Sequence, residues 1–496
     1  MVVRSIATSA AVKSVHTTCS KNLRVDTMNT RLRTMQYAVR GEVPIRAGVL
    51  SKELESERQQ GISNKRPFGK ILFCNIGNPQ SVGQKPITFF RSVLSLVDNP
   101  RLLTSASVHT LFEDEEIERA HDILSYLPNG SGAYSDSQGV EGIRRNVAQF
   151  VEKRDGYSCE PSNIFLTNGA SSAIQMLLTA LIADENDSIM IPTPQYPIYS
   201  ALISLLNGKQ AGYYLDEESN WSLNLQALES SFDASVSQGH RPRAMVVINP
   251  GNPTGNTMSY DDLCTVVRFC EKHNLVLMSD EVYQENCYNP TERPFVSCKK
   301  IVQDLGSDVE LASFHSTSKG FIGECGRRGG YMEMHNFDPQ VQAEIVKLAS
   351  SGLCSNLDGQ LMLDLMVKPP TKGVAYSTHM DEKSAILDSL KVKADMVYEM
   401  LNQTPGVSCQ PLEGAMYAFP KLDLPKSFVD RAIADGKSPD SMYAISLLES
   451  TGICTVPGSG FGQVKGTHHV RMTFLPPKDE LENAMKQFQK HHMSIR

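Results

Sequence analysis

The segment Ser313-Phe-His-Ser-Thr-Ser-Lys319-Gly-Phe-Ile-Gly-Glu-Cys-Gly-Arg-Arg328-Gly-Gly-Tyr331 follows a strand-like Val309-Glu-Leu-Ala. A hydroxyl-rich turn here ends in a lysine, and an arginine lies among glycines nine residues on. The run supplies an amine nucleophile and a guanidinium around an anionic ligand, which suits a lysine that forms a Schiff base with a carbonyl compound. A single lysine in a polar turn is ordinarily a solvated surface residue. Lys319 gains a chemical reading because the other parts of one kind of site, that for pyridoxal phosphate, occur along the chain in the expected order.

Such a site needs a phosphate cup, a partner for the pyridine nitrogen, a donor to the phenolic oxygen and a clamp for the ring. Gly169-Ala170-Ser171, between a strand and a helix start, offers backbone N–H groups and a hydroxyl to phosphate at the positive end of the helix. Asp280 in Ser279-Asp-Glu-Val-Tyr283 can hold the pyridinium proton; a helix N-cap is the plainer use of such an aspartate. Tyr283 and Asn252 can both reach the phenolic oxygen. Asn252 lies in Asn249-Pro-Gly-Asn-Pro-Thr-Gly255, where two Asn-Pro steps fix a loop at a strand end. Tyr196, in Pro192-Thr-Pro-Gln-Tyr-Pro-Ile-Tyr199, is the better choice to stack on the ring, and Tyr199 the lesser.

Short β-rich runs alternating with amphipathic helices must position these residues. Strands are expected at Ile164–Thr167, Ser188–Ile191, Met245–Ile248, Leu275–Met278 and Leu311–Phe314. Helices are expected through Val140–Val151, ending at Gly156, and from Tyr260 to His273. The alternation predicts an α/β fold with a mostly parallel sheet flanked by helices. In such sheets ligands sit beyond the carboxyl ends of the strands, where each polar cluster falls. Val367-Lys-Pro-Pro-Thr-Lys-Gly373 reads as a domain exit and Asp381–Leu401 as a helical bridge to a C-terminal domain.

The chain has 496 residues, enough for two domains. Its 48 basic and 55 acidic side chains give a net charge of −7, without the basic excess that tracks nucleic acid. Small anionic substrates must then be met by local arginines. Eleven scattered cysteines without a C-x-x-C pair argue against a disulfide framework or a structural zinc site, and the apolar runs are too short to cross a bilayer. The first 25 residues hold Arg4, Lys13, Lys21 and Arg24 and no acid before Asp26, the composition of an import leader.

On these motifs the chain resembles the fold-type I, class I/II aminotransferases. Within them Tyr37-Ala-Val-Arg-Gly41, Asn75-Ile-Gly77, Pro86-Ile-Thr-Phe89, Gly323-Glu-Cys-Gly326, Arg328-Gly-Gly-Tyr331 and Gly414-Ala-Met-Tyr417 resemble the alanine aminotransferases, over about residues 30–485. The resemblance implies a large pyridoxal-phosphate-binding domain over 116–375 and a smaller α+β domain built from 31–115 and 376–496, after a leader over 1–30. It implies Lys319 as the lysine that carries the cofactor, and Ser316, Arg328, Ala170 and Ser171 around the phosphate, with Arg327 a competing arginine one residue earlier. Arg471 in His469-Val-Arg-Met-Thr-Phe474 matches the arginine that takes the substrate α-carboxylate, and Gly77 falls beside the substrate. Tyr134 matches a tyrosine that reaches the neighbouring subunit's cofactor, so a homodimer is expected. Leu353-Cys-Ser-Asn-Leu-Asp-Gly-Gln360 departs from the proline-rich segment of many relatives. The implied reaction exchanges the amino group between L-alanine and 2-oxoglutarate, in the mitochondrial matrix, with the plastid or cytoplasm as other compartments. A glutamate:glyoxylate aminotransferase shares nearly all these motifs. A pyridoxal phosphate lyase and a non-enzymatic ligand sensor are further readings; the sensor would lack the lysine or carry a DNA-binding module. Arg40 is a candidate for the second carboxylate of 2-oxoglutarate.

Overall fold

The computed structural model describes residues 22–37, 41–62 and 66–496. The expected leader up to residue 21, and Arg40, lie outside the described residues. Seven strands make the central sheet: β1 (Ile164–Thr167), β2 (Asp187–Thr193), β3 (Lys209–Tyr214), β4 (Arg241–Ile248), β5 (Val276–Asp280), β6 (Leu311–Ser316) and β7 (Gly330–His335). Their spatial order is β1-β7-β6-β5-β4-β2-β3. Strands β2 to β6 pair in parallel, whereas β7 runs antiparallel to both β6 and β1.

The five expected strands are present. The two without a clear sequence signal have physical reasons for it. β3 is an edge strand whose outer residues meet solvent. β7 opens on glycine and carries Glu333, a buried charge paired with the buried Lys299 of the helix Cys298–Leu305.

Seven helices bear on the site: α1 (Thr88–Asp98), α2 (Asp114–Ser125), α3 (Glu141–Asp155), α4 (Ala170–Leu181), α5 (Tyr260–His273), α6 (Leu357–Val367) and α7 (Gly373–Asn402). The sheet is covered on both faces. Along β4, Ala244, Val246 and Ile248 join one apolar cluster while Met245 and Val247 join another with Leu263, Val266, Val267 and Cys270 of α5, the two-residue alternation of a strand. α5 starts in a capping box between Ser259 and Asp262.

A third apolar cluster gathers Phe90 of α1, Ala120 of α2, Ile143 of α3 and Leu361 of α6. One carboxylate ties this layer together. Asp364 of α6 accepts from Arg119 of α2 and from the Tyr126 hydroxyl through Oδ2, and from Asn146 of α3 through Oδ1 at 2.7 Å.

The expected bridge lies within α7, which already begins at Gly373. Beyond it, Tyr417–Ala418, Val470–Thr473 and Val456–Pro457 form a three-stranded antiparallel sheet. Leu72–Phe73, far earlier in the chain, pairs in parallel with Ile453–Cys454. The ten described cysteines are free. No described helix is long and apolar enough to cross a membrane.

Removing one partner of a buried ion pair leaves the other charge with less compensation. Asp364→Ala, which leaves the buried Arg119 with only the solvent-facing Asp122 as a charge partner, is expected to cost about 3 kcal/mol, the lower end of the range for a broken buried pair, read as a lowered urea midpoint. Asp364→Asn, which keeps an acceptor for Arg119, is expected to lose less.

Candidate active site

Four polar clusters converge because the strands that end in them are neighbours or near neighbours in the sheet. Asp280 is the last residue of β5; Asn252 follows β4, Lys319 follows β6, and Ala170 opens α4 directly after β1. With Gly77, Tyr196, Tyr283, Ser316, Ser171, Arg328 and Arg471 they line one cavity of about 280 Å³. Among the described candidates, Gly169, Tyr199, Arg327 and Tyr134 are not part of its lining, and Tyr134 is 80 % exposed.

At the α4 end of the cavity, Arg328 donates through Nη2 to the Asn168 carbonyl at 3.0 Å and to Ser171 Oγ at 3.3 Å. Gly169 makes this approach possible: a Cβ there would lie 2.5 Å from Arg328 Nη2. Arg327 instead pairs with Asp358 of α6 at 3.2 Å, so Arg328 is the arginine that faces the cavity. The first N–H groups of α4 have no side-chain cap. A phosphate between Arg328, Ser171 and that helix end would meet a guanidinium, a hydroxyl and unpaired backbone donors.

Deeper in, Asp280 is buried and accepts from the Tyr199 hydroxyl at 2.9 Å. It ends a strand and is followed by a turn, so it does not cap a helix. Burial pushes its carboxyl up to about 6, against the Tyr199 hydrogen bond, the Val282 N–H and the charge of Lys319. Tyr199, the lesser choice for stacking, is thereby the residue that orients Asp280. Tyr196 lines the cavity, and its hydroxyl meets that of Tyr37 at 2.8 Å.

Lys319 Nζ donates to the Gly77 carbonyl at 2.7 Å and lies 5.7 Å from the centre of the Tyr283 ring. A Cβ on Gly77 would sit 2.3 Å from the Tyr417 hydroxyl and 3.1 Å from Lys319 Nζ, so only glycine fits. Tyr283 donates to the Tyr417 hydroxyl at 3.2 Å. Burial raises the Tyr417 phenol, but the charges of Lys319 and Arg471 outweigh it and bring it below its ordinary value.

Arg471 is 1 % exposed, so a solvated surface role is ruled out. It donates to Asn252 Oδ1 at 3.1 Å and to the Asn75 carbonyl. Its guanidinium lies 4.2 Å from the Tyr417 ring centre and 4.6 Å from that of Phe461. Its Nε is buried without a partner, and no described carboxylate pairs with it. Asn252 spends its oxygen on Arg471, which leaves its NH2 group as the donor.

Sequence reading missed two contributors as site residues, Tyr417 and Tyr37, and offered Tyr199 only for stacking, whereas its hydroxyl bonds to Asp280. Tyr417 and Tyr37 stood in runs noted only as resemblances, and the 219-residue separation of Arg471 from Asn252 leaves no local pattern to read.

The donor set fits pyridoxal phosphate from end to end. Arg328, Ser171 and the α4 terminus suit a phosphate, Asp280 a cationic ring nitrogen, and Lys319 an aldehyde carbon, while the buried, carboxylate-free Arg471 suits a substrate carboxylate. Fold and cavity together define a pyridoxal-phosphate-dependent transferase of fold type I. Residues 115–488 match the family Aminotransferase class I and II, and the chain belongs to that family. It is 50 % identical over 482 residues to a Dictyostelium discoideum protein named "Probable alanine aminotransferase, mitochondrial", covering 96 % of this chain and 90 % of that one. It is 46 % identical over 475 residues to glutamate–glyoxylate aminotransferase 1 of Arabidopsis thaliana, covering 95 % and 96 %. Among solved structures, the alanine aminotransferase from Pyrococcus furiosus superposes with a TM-score of 0.74 at 25 % identity, over 94 % of this chain and 100 % of that one.

The raised Asp280 sets a pH dependence. The folded, cofactor-free protein holds a proton on Asp280 between the ordinary carboxyl value of 3.8 and about 6, so this group's contribution to stability falls as pH rises through that window. A cationic ring nitrogen reverses the preference and favours the ionised carboxylate. Cofactor affinity is therefore expected to be full above about 6 and to weaken by up to about tenfold per pH unit below it. Equilibrium dialysis of apoenzyme with pyridoxal phosphate from pH 5 to 8 reads this; Asp280→Asn should bind weakly throughout and lose that part of the pH slope.

Proposed function

We propose that this enzyme exchanges the amino group between L-alanine and 2-oxoglutarate, giving pyruvate and L-glutamate. The supporting observation is the set of alanine aminotransferases at 43–50 % identity across nearly the whole chain. The glutamate–glyoxylate relative at 46 % identity keeps glyoxylate as the alternative acceptor. Mitochondrial residence is proposed from the relatives so named and the acid-free leader. The division into a cofactor domain over 116–375 and a smaller domain from 31–115 and 376–496 is proposed with the pairing of Leu72–Phe73 and Ile453–Cys454 in its support.

When bound, pyridoxal phosphate supplies the carbonyl carbon that takes the amino group and a protonated ring that draws electrons from the substrate's α-carbon. The roles proposed for the chain's residues follow from their positions. Arg328, Ser171, Ala170 and Ser316 hold the phosphate, Asp280 keeps the ring nitrogen protonated, and Tyr283 and Asn252 donate to the phenolic oxygen. Tyr196 packs on the ring. Arg471 grips the α-carboxylate with its two Nη groups, which sets the α-carbon in front of Lys319. Lys319 Nζ, steadied by the Gly77 carbonyl, accepts the α-proton as a neutral amine and delivers it to the acceptor carbon. The same groups serve the second substrate in reverse, so ping-pong kinetics are expected.

A panel of single-turnover assays with alanine, glutamate, pyruvate, 2-oxoglutarate and glyoxylate tests the reading. Alanine with 2-oxoglutarate is expected to be the fastest pair; clearly faster turnover with glyoxylate would transfer the assignment to the alternative. Arg471→Ala is expected to lower kcat/KM in both half-reactions by about 1.5–3 kcal/mol, the range of a hydrogen bond to a charged group.

The exposed Tyr134 supports a homodimer in which it serves the opposite subunit. Mixing inactive Lys319→Ala chains with inactive Tyr134→Ala chains should restore part of the activity, because one site of a hybrid dimer is then intact. No recovery after verified chain exchange would reject the shared site.

A further inference from the structure

A second cavity, of about 400 Å³, lies between α7, the loop Pro79–Ile87 and the turn Leu475–Pro477. That volume is in the range of small-molecule sites. Its walls are largely apolar, with Val82, Ile386, Leu390 and Leu475 among them. At its base stands Lys393 of α7, 7 % exposed. Lys393 Nζ donates to the Leu475 carbonyl at 2.9 Å, which leaves two of its three N–H groups without a partner among the described residues. Burial alone pulls the amine down to about 8, with no charged neighbour acting on it.

The other charged groups of the cavity are Lys85, exposed at the rim, and Glu382. Glu382 is already engaged: it accepts from the Thr88 N–H at 2.9 Å and from the Thr88 hydroxyl. A buried ammonium without a counter-ion is costly, and buried lysines are ordinarily paired. Two ammonium groups, one committed carboxylate and apolar walls therefore leave room for an anion from outside the chain.

We infer that this cavity is a second binding site, for a small carboxylate with a short apolar body, distinct from the cavity that holds the cofactor. Its position gives an occupant leverage on catalysis. The loop that forms one wall follows Gly77, whose carbonyl holds Lys319, and Gln84 of that loop donates to the Phe321 carbonyl just beyond Lys319 at 2.8 Å. The opposite wall includes Leu475, four residues after Arg471. A carboxylate on Lys393 links α7 to both segments, so its binding and substrate binding influence each other reciprocally.

Malonate, which carries no transferable amino or oxo group, is a suitable probe for calorimetric titration of the holoenzyme. Two classes of site are expected. Arg471→Ala should remove the one in the active site. Lys393→Met, which keeps length without charge, should weaken the other by about tenfold or more while its melting temperature without malonate holds or rises. Lys85→Met, at the exposed rim, should weaken the same class by a smaller factor and serves as the deciding variant if Lys393→Met does not fold. A single class that vanishes in Arg471→Ala, or a second class with unchanged affinity in the lysine variants, would overturn the inference.

Discussion

The candidate site is organised around a guanidinium that no carboxylate among the described residues pairs with. Arg471 is almost fully buried, and an isolated ion in that position costs several kcal/mol even after relaxation. What offsets the cost is drawn from four separate stretches of chain. The Asn75 carbonyl and Asn252 Oδ1 accept its protons, and the rings of Tyr417 and Phe461 face its charge. None of these neutralises it. The fold holds a positive charge in place by dipoles and ring faces, with no full counter-charge from the described residues.

The same electrostatics explains how a chain of net charge −7 handles anionic substrates. Overall charge acts at long range and is screened by salt over about 10 Å, whereas the cavity brings together Arg471, Lys319 and Arg328 and only one carboxylate, Asp280. The Tyr417 phenol registers that local excess of cations, since it is held below its ordinary value despite being buried. Asp280 is set apart from the arginines: its partners are the Tyr199 hydroxyl and the Val282 N–H, and no arginine among the described residues bonds to it.

Much of this could be read from residues in order, and what could not has a common cause. Each strand-end cluster is local in sequence, so Asn168–Ser172, Asn249–Gly255, Asp280 and Lys319 were legible where an apolar run gave way to polar or glycine residues. β1, β2, β4, β5 and β6 announced themselves by their mostly apolar character. β3 and β7 did not, because an edge position and a buried Lys299–Glu333 pair both put polar residues into a strand. Spacing does not distinguish Arg327 from Arg328; the pairing of Arg327 with Asp358, 31 residues on, turns it elsewhere and leaves Arg328 lining the cavity. Tyr199 and Tyr417 act through partners 81 and 134 residues away, and such pairings leave no periodicity. Tyr134 is a different case, since this chain alone gives it no contact with the cavity.

The parallel pairing of Leu72–Phe73 with Ile453–Cys454 has a bearing on how the protein comes into being. The Asn75–Arg471 contact beside it joins residues 396 positions apart. A chain emerging from the ribosome can complete the whole seven-stranded sheet by His335, yet its early segment must wait for almost the last residues before Asn75 and Arg471 meet. Scaffold and cavity therefore mature at different times, and a nascent or nicked chain lacking only its final strand and helix would keep the seven-stranded sheet while missing Arg471 and the cavity wall it forms.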